Sequence, residues 1–122
     1  MFVVTAPRKL SRDACVRADD ALVRAFGVLG KRWNAVVLGT LASGDAGFRE
    51  LSRTIGGISD SVLSDRLSEL TRIGLVVRTV DEGPPVAVSY TLSERGKALM
   101  PAFDQIADWA RAHLTSEFEV TR

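Results

Sequence analysis

The chain has 122 residues, of which 46% are hydrophobic and 25% are charged, and its formal net charge at pH 7 is +1. This length fits one domain, and this composition is that of an ordinary globular protein, so we expect disorder only at the ends. With one cysteine, Cys15, and one histidine, His113, an internal disulfide and the usual structural zinc sites are excluded, so we expect neither a metal nor a cofactor. The sequence contains neither a run of about 18 apolar residues nor a secretory signal pattern, so we expect a cytoplasmic protein without a membrane partner.

The charges are unevenly distributed along the chain. The net charge is +3 over residues 1–18, +2 over residues 31–78 and −3 over residues 79–122. A nearly neutral protein with its positive charge gathered in one part is compatible with nucleic-acid binding.

The first third of the chain reads as an arm followed by two helices. We interpret residues 1–10 as an arm, because an apolar start is broken by Pro7. Residues 11–29 carry apolar side chains at spacings of four, four, four and three, which predicts a helix with a candidate dimer face. Residues 33–41 are apolar on most of the helical circumference, which predicts the central and most buried helix.

Residues 48–74 organise the rest of the chain and predict a helix-turn-helix. Phe48, Leu51 and Ile55 recur at i, i+3 and i+7, so they lie on one face of a short helix. Gly56 and Gly57 then end that helix, because glycine adopts the left-handed conformation without steric cost. A second helix follows with a leucine stripe and an opposite face of small polar side chains, a composition typical of a recognition helix. The alternative is an ordinary amphipathic helix pair with a solvated, serine-rich face.

After Gly74 the periodicity changes. Residues 75–80 and 86–92 are rich in β-branched or alternating residues and flank a Gly-Pro-Pro loop, which predicts a β-hairpin over residues 75–92. A hairpin directly after a recognition helix is a wing. Ser93 then caps a long helix over residues 93–114, a second candidate dimerisation helix, and residues 116–122 form a tail.

These elements predict a mainly α fold with a small β-hairpin wing (α+β), which is a winged helix-turn-helix with N- and C-terminal dimerisation helices. We expect one domain over residues 11–115. Its expected partner is double-stranded DNA. The polar side chains expected to face bases are Ser59, Ser61, Ser64 and Asp65. The basic side chains expected to contact phosphate are Lys31, Arg32, Arg49, Arg53, Arg66, Arg72 and Arg78.

Two of these assignments have an equal alternative. Lys31 and Arg32 fit a solvated pair of turn charges equally well, and Arg66 lies beside the leucine stripe, where a structural salt bridge is as good an interpretation. Because serine discriminates weakly between bases, DNA shape and bridging water are expected to supply much of the specificity.

The ordered elements resemble the HxlR family of bacterial winged-helix regulators, which are relatives of the MarR group. The similarity spans roughly residues 13–114. The matching segments are Gly-Lys-Arg-Trp at 30–33, Phe-Arg-Glu-Leu at 48–51, Ile-Ser-Asp-Ser-Val-Leu-Ser-Asp-Arg-Leu-Ser-Glu-Leu at 58–70, Gly-Leu-Val-Val-Arg at 74–78, and Tyr-Thr-Leu at 90–92 before a helix that contains Gly96.

The resemblance implies a homodimeric transcription regulator, such as a repressor, that binds a palindromic or pseudo-palindromic operator. Many members carry an N-terminal cysteine that senses oxidants or electrophiles, and Cys15 falls near that position. The alternative for Cys15 is a small, buried helix residue. If the signal is instead a small-molecule effector, the candidate pocket is lined by Phe26, Trp33, Phe103 and Trp109, although such aromatic residues also suit a plain core.

A second class of function fits the same fold. Winged helices also serve as protein-protein interaction modules without specific DNA binding, and the low net charge and the acidic wing tip at Asp81 and Glu82 are compatible with that role. An enzyme is the least supported class. The sequence lacks paired catalytic carboxylates, a nucleophile beside a histidine, a phosphate-binding glycine motif and metal-ligand spacing.

Overall fold

The computed structural model describes residues 12–114, with side chains from Asp20 onward. In this part of the chain the elements follow the order α1 (Arg12–Leu29), α2 (Arg32–Leu41), α3 (Phe48–Ile55), α4 (Asp60–Arg72), β1 (Val76–Asp81), β2 (Ala87–Leu92) and α5 (Glu94–His113). The predicted fold class, mainly α with a β-hairpin, is confirmed. The predicted arm at residues 1–10 and tail at residues 116–122 lie outside the described residues.

The chain forms two compact units, Met1–Arg32 and Trp33–Arg122. In the first unit, α1 exposes Leu22, Val23 and Phe26. The second unit contains α2 to α5 and both strands. The single domain expected over residues 11–115 and the dimer faces on the terminal helices stay predictions.

The hydrophobic core of the second unit is built mainly from leucines that recur at helical spacing. Leu63, Leu67 and Leu70 of α4 are at most 2% exposed, since they lie on one face at spacings of four and three. The other buried apolar residues are Val37, Leu38, Leu41, Leu51, Ile58, Val76 and Leu92. Helix α2 contributes three of them, as the apolar sequence of residues 33–41 predicted, but its fourth buried residue is the polar Asn34.

The wing is a two-stranded antiparallel hairpin whose register pairs Val76 with Leu92 and Arg78 with Tyr90. The loop before α3 pairs with β2, because Ala46 and Tyr90 exchange two backbone hydrogen bonds, at 3.0 and 2.8 Å. This bridge ties the wing to the start of the helix-turn-helix. The sequence analysis did not predict this bridge, because residues 43–47 show no alternation typical of a strand.

Ser93 and Gly96 join the start of α5 to the turn that follows α4. The Ser93 hydroxyl accepts the Gly96 N–H at 3.0 Å, as a helix N-cap, and donates to the Gly74 carbonyl at 2.6 Å. The Ser93 N–H donates to the Leu75 carbonyl at 3.0 Å. Gly96 is buried at this contact, and a Cβ atom on it would lie 2.3 Å from the Leu75 oxygen, so only glycine fits.

Candidate nucleic-acid interface

The turn between α3 and α4 is made by two glycines in the left-handed region. Gly56 and Gly57 have φ values of 67° and 74°, as the sequence predicted. The Gly56 N–H donates to the Ser52 carbonyl at 3.0 Å and closes the last turn of α3. Ile58 then buries its side chain, which anchors the turn in the core.

Ser59 begins α4 as its N-cap. Its hydroxyl accepts the Val62 N–H at 3.2 Å and lies 3.4 Å from the Ser61 hydroxyl. Capping of this kind typically stabilises a helix by about 1 kcal/mol. The Ser59 hydroxyl is therefore engaged in capping α4, although the Ser59 side chain is exposed.

The outer face of α4 is polar and open to solvent. Ser61, Ser64 and Asp65 are exposed, while the leucines on the opposite side of the helix are buried. We call Ser59, Ser61, Ser64 and Asp65 the polar face of α4. Hydroxyl groups donate and accept hydrogen bonds and a carboxylate accepts them, so these exposed side chains suit the base edges of a major groove. Contact of these four side chains with bases stays a prediction.

Four exposed arginines lie on the elements around this face. Arg49 and Arg53 belong to α3, Arg72 to the last turn of α4, and Arg78 to β1. At the tip of the wing, Asp81 and Glu82 are exposed as well, and the Asp81 carboxylate accepts the Gly83 N–H at 3.1 Å. The four arginines are suitably exposed for phosphate contacts, which stay a prediction.

Arg66 differs from the other arginines because its side chain is only 19% exposed. It pairs with Glu69, one turn further along α4, and its Nη1 donates to the Asn34 side-chain oxygen at 3.2 Å. The salt bridge that the sequence analysis gave as an alternative for Arg66 is therefore present, and its contact with phosphate stays a prediction. The sequence analysis did not single out Asn34. The pattern that could have identified it is its position three residues before Val37 and four before Leu38, which places this polar residue on the buried face of α2.

Lys31, Arg32 and Cys15 all belong to the first unit. The two basic residues are exposed, and Arg32 begins α2. Cys15 lies in α1, in the stretch where the structure describes only the backbone. Their roles as phosphate contacts and as redox sensor stay predictions.

The aromatic residues of the candidate effector pocket differ in exposure. Trp33 and Phe103 are half-buried, whereas Phe26 is 53% and Trp109 is 55% exposed. The Trp109 ring lies 6.0 Å from the His113 ring, centroid to centroid. A depression of the second unit has a different, polar lining, with Thr40, Asp45, Glu50 and Thr54 among its residues. The aromatic effector pocket stays a prediction.

Neither a membrane-spanning helix nor a cluster of metal-ligating side chains occurs among the described residues. None of the helices over residues 12–114 is both long and apolar enough to cross a membrane. The same part of the chain contains no group of three or more histidine, cysteine or carboxylate side chains that could hold a metal ion.

The tight glycine turn, the polar outer face of α4 and the hairpin after it define a winged helix-turn-helix protein. Over residues 28–118 the sequence matches the model of the HxlR-like helix-turn-helix family. The chain belongs to this family, whose members are DNA-binding transcriptional regulators and not enzymes. The family resemblance found in the sequence is thereby confirmed.

Two individual relatives are also helix-turn-helix transcriptional regulators by name. The regulator YodB of Bacillus subtilis is 43% identical over 86 residues, which are 70% of this chain and 77% of YodB. The uncharacterised regulator YvaP of the same organism is 37% identical over 95 residues, which are 78% of this chain and 88% of YvaP.

Solved structures agree with the fold. The reduced form of YodB from Bacillus subtilis superposes with a TM-score of 0.73 at 39% identity, over 77% of this chain and 92% of that one. YodB has also been solved after diamide treatment and with bound quinone. The redox regulator HypR in its oxidised form superposes with a TM-score of 0.71 at 27% identity, over 78% of this chain and 98% of that one.

Proposed function

We propose that this protein regulates transcription as a homodimer that binds a palindromic or pseudo-palindromic operator sequence-specifically. The observation that carries the proposal is the division of α4 into a buried leucine face and an exposed polar face, within a family of DNA-binding regulators. A helix built this way is held firmly by the core and still presents hydrogen-bonding groups outward.

In the proposed complex each protomer inserts the N-terminal half of α4 into a major groove. Two copies related by a dyad read half-sites about 34 Å apart, one turn of B-form DNA. The polar face of α4 contacts base edges, and Arg49, Arg53, Arg72 and Arg78 contact phosphates on either side. The exposed acidic residues of the wing tip limit how closely the hairpin approaches the backbone.

Asp65 is the most discriminating member of the polar face. A carboxylate is only an acceptor, so in the major groove it pairs with a base donor such as cytosine N4. Serine both donates and accepts, so Ser61 and Ser64 select less strongly. The remaining specificity comes from DNA shape and from bridging waters.

The Arg72→Ala variant tests the phosphate contacts. Because Arg72 is exposed in the last turn of α4, its loss is expected to weaken binding to all sequences similarly. Losing one phosphate contact lowers the slope of log Kd against log salt by about one. The measurement is fluorescence anisotropy with duplex DNA from immediately upstream of the gene, in a salt series.

Arg111→Ala is the matched control for Arg72→Ala. Arg111 is an exposed arginine in the last turn of α5, where it pairs with Asp108 at 2.7 Å. Its loss is expected to leave the salt slope at the wild-type value. Equal slopes for wild type and Arg72→Ala would remove Arg72 from the phosphate contacts.

Regulation by thiol chemistry is the second part of the proposal. YodB, a relative at 43% identity, has been solved in reduced, diamide-treated and quinone-bound forms, and HypR is described as a redox regulator. In this sequence Cys15 is the only cysteine, so it is the one side chain that thiol chemistry is able to modify. A small-molecule effector, supported by the quinone-bound YodB, is the other form of signal.

The Cys15→Ser variant separates these signals. Diamide joins two thiols in a disulfide and is itself reduced to the hydrazine, and with one cysteine per chain the second thiol is Cys15 of the partner subunit. This disulfide is expected to release DNA from the wild type, whereas Cys15→Ser is unable to form it and stays bound. The measurement is anisotropy of the preformed complexes as diamide is added, with dithiothreitol restoring wild-type binding. An equal response of the two proteins would exclude Cys15 as the sensor and would favour an effector that binds without thiol chemistry.

A further inference from the structure

A buried amide faces the recognition helix from the middle of the core. Asn34 is 0% exposed, and it shares its face of α2 with Val37, Leu38 and Leu41. Burying an amide without a hydrogen bond costs about 1–3 kcal/mol in proteins, so an asparagine here requires partners. One partner is on α4.

That partner is Arg66. Its Nη1 donates to Asn34 Oδ1 at 3.2 Å, and the same nitrogen pairs with Glu69. The side chains of Arg66 and Glu69 are 19% and 16% exposed, so the ion pair is largely removed from water. We call Asn34, Arg66 and Glu69 the buried polar cluster. It joins α2 to α4 across 32 positions of sequence.

We propose that Asn34 and Arg66 are positioning residues for operator recognition: their hydrogen bond fixes the rotation of α4 about its own axis. The proposal rests on the function proposed above. A leucine stripe determines which face of a helix is buried, but apolar contacts have no preferred direction. A hydrogen bond from a planar guanidinium is directional, so it selects one rotation within the range that the leucines allow.

The geometry of a helix shows why this rotation matters for recognition. Side-chain ends lie about 5–6 Å from the helix axis, so a rotation of about 20° moves them by about 2 Å. A hydrogen bond that is 2.9 Å long is lost when its partners separate beyond about 3.5 Å. Asp65 directly precedes Arg66 in α4. A rotation of α4 at the buried polar cluster therefore also displaces Asp65 on the face that reads bases.

The proposal separates Arg66 from the exposed arginines. A phosphate contact is lost only when the arginine itself is changed, whereas a positioning contact is also lost when its buried partner is changed. Asn34 is fully buried, so it is unable to touch DNA in the folded protein. The variant Asn34→Ala removes the bond between the helices and leaves the charge of Arg66 in place.

The experiment measures binding by the full-length protein to two duplexes, a genomic fragment that the wild type binds selectively and its scrambled version. Both are titrated in a salt series, at a temperature where circular dichroism shows every variant folded. Asn34→Ala is expected to bind the selected duplex about tenfold more weakly, and the scrambled duplex less than about threefold more weakly, with an unchanged salt slope.

Arg66→Lys is the second variant, because it keeps the positive charge and replaces the planar guanidinium with an ammonium group. It is expected to repeat the selective loss of Asn34→Ala. The double variant is expected to lose no more than either single variant, since both changes break one hydrogen bond. Additive losses would show independent roles and would overturn the proposal.

Other outcomes also decide against the positioning role. Unchanged selectivity in both single variants, even with a lower melting temperature, would make the buried polar cluster a stabilising feature only. A lower salt slope for Arg66→Ala, together with wild-type binding by Asn34→Ala, would make Arg66 a phosphate contact.

Urea unfolding of the wild type, Asn34→Ala, Arg66→Lys and the double variant is independent of DNA. Non-additive losses of unfolding free energy would establish the coupling of Asn34 and Arg66 in the folded protein. If the wild type bound none of its genomic fragments selectively, the proposed function would fail and the positioning role with it. The unfolding result would stand, so the two failures are distinguishable.

Discussion

The Gly96→Ala variant is expected to lose about 2–3 kcal/mol of unfolding free energy, because an added Cβ atom overpacks a buried contact. That atom would lie 2.3 Å from the Leu75 carbonyl oxygen and 3.2 Å from a methyl group of Leu92. The Leu75 oxygen also accepts the Ser93 N–H, so moving it disturbs the start of α5. For a domain of this size the melting temperature is expected to fall by roughly 10 °C or more.

Gly39→Ala is the matched control for this variant. Gly39 is exposed within α2, and an added Cβ atom there would meet nothing within 4 Å. Alanine in a helix interior is more stable than glycine by about 0.5–1 kcal/mol, so this variant is expected to melt at a higher temperature than the wild type. Thermal unfolding followed by circular dichroism measures both. Equal melting temperatures for Gly96→Ala and wild type would contradict the close packing of α5 on Leu75.

The Ser64→Glu variant is expected to bind its operator at least about tenfold more weakly, because a carboxylate on the polar face of α4 would face the negative potential of DNA. Ser64 is exposed, and glutamate is a good helix former, so the variant is expected to keep the wild-type fold. Binding to scrambled DNA is expected to weaken too, since repulsion by phosphate does not depend on sequence. Anisotropy with both duplexes measures the effect.

Ser64→Ala is the control for Ser64→Glu. It removes one hydroxyl and adds no charge, so affinity for the operator is expected to fall only severalfold and affinity for scrambled DNA to stay unchanged. If Ser64→Glu bound the operator as tightly as the wild type, the polar face of α4 would not be the DNA-contacting surface.

Local patterns were sufficient to predict the elements of this fold. Each signal lies within a few positions of sequence: the apolar spacings of residues 48–70, the two glycines at the turn and the serine cap at Ser93. The structure places the predicted helices and strands within about one or two residues of the expected bounds, which is the usual uncertainty of an element's end.

Contacts between distant positions were not predictable in the same way. Arg66 lies beside the leucine stripe, so the sequence left a salt bridge and a phosphate contact equally open. The structure shows the salt bridge with Glu69, whereas the phosphate contact stays a prediction. The second contact of Arg66 was not predictable, because Asn34 is 32 positions earlier and meets Arg66 only in the folded chain. The bridge between Ala46 and Tyr90 is of the same kind, since loop residues carry no periodic signal for strand pairing.

Local sequence patterns also did not predict which aromatic side chains are exposed. Phe26 lies on the apolar stripe of α1, and Trp109 flanks the apolar stripe of α5. Such a stripe indicates a buried face, yet each of the two side chains is more than half exposed in the single chain. A periodic stripe shows which face of a helix is apolar and does not identify what covers it. A second protomer is one covering surface consistent with the proposed dimer.

The most direct test of the account is fluorescence anisotropy of the reduced wild-type protein with duplex DNA from immediately upstream of its gene. The account predicts binding at least about a thousandfold tighter than to a scrambled duplex, a steep decrease with salt, and two protomers per duplex. Equal, weak binding to that duplex, to its scrambled version and to every other genomic fragment would contradict it. That result would favour the protein-protein interaction module instead.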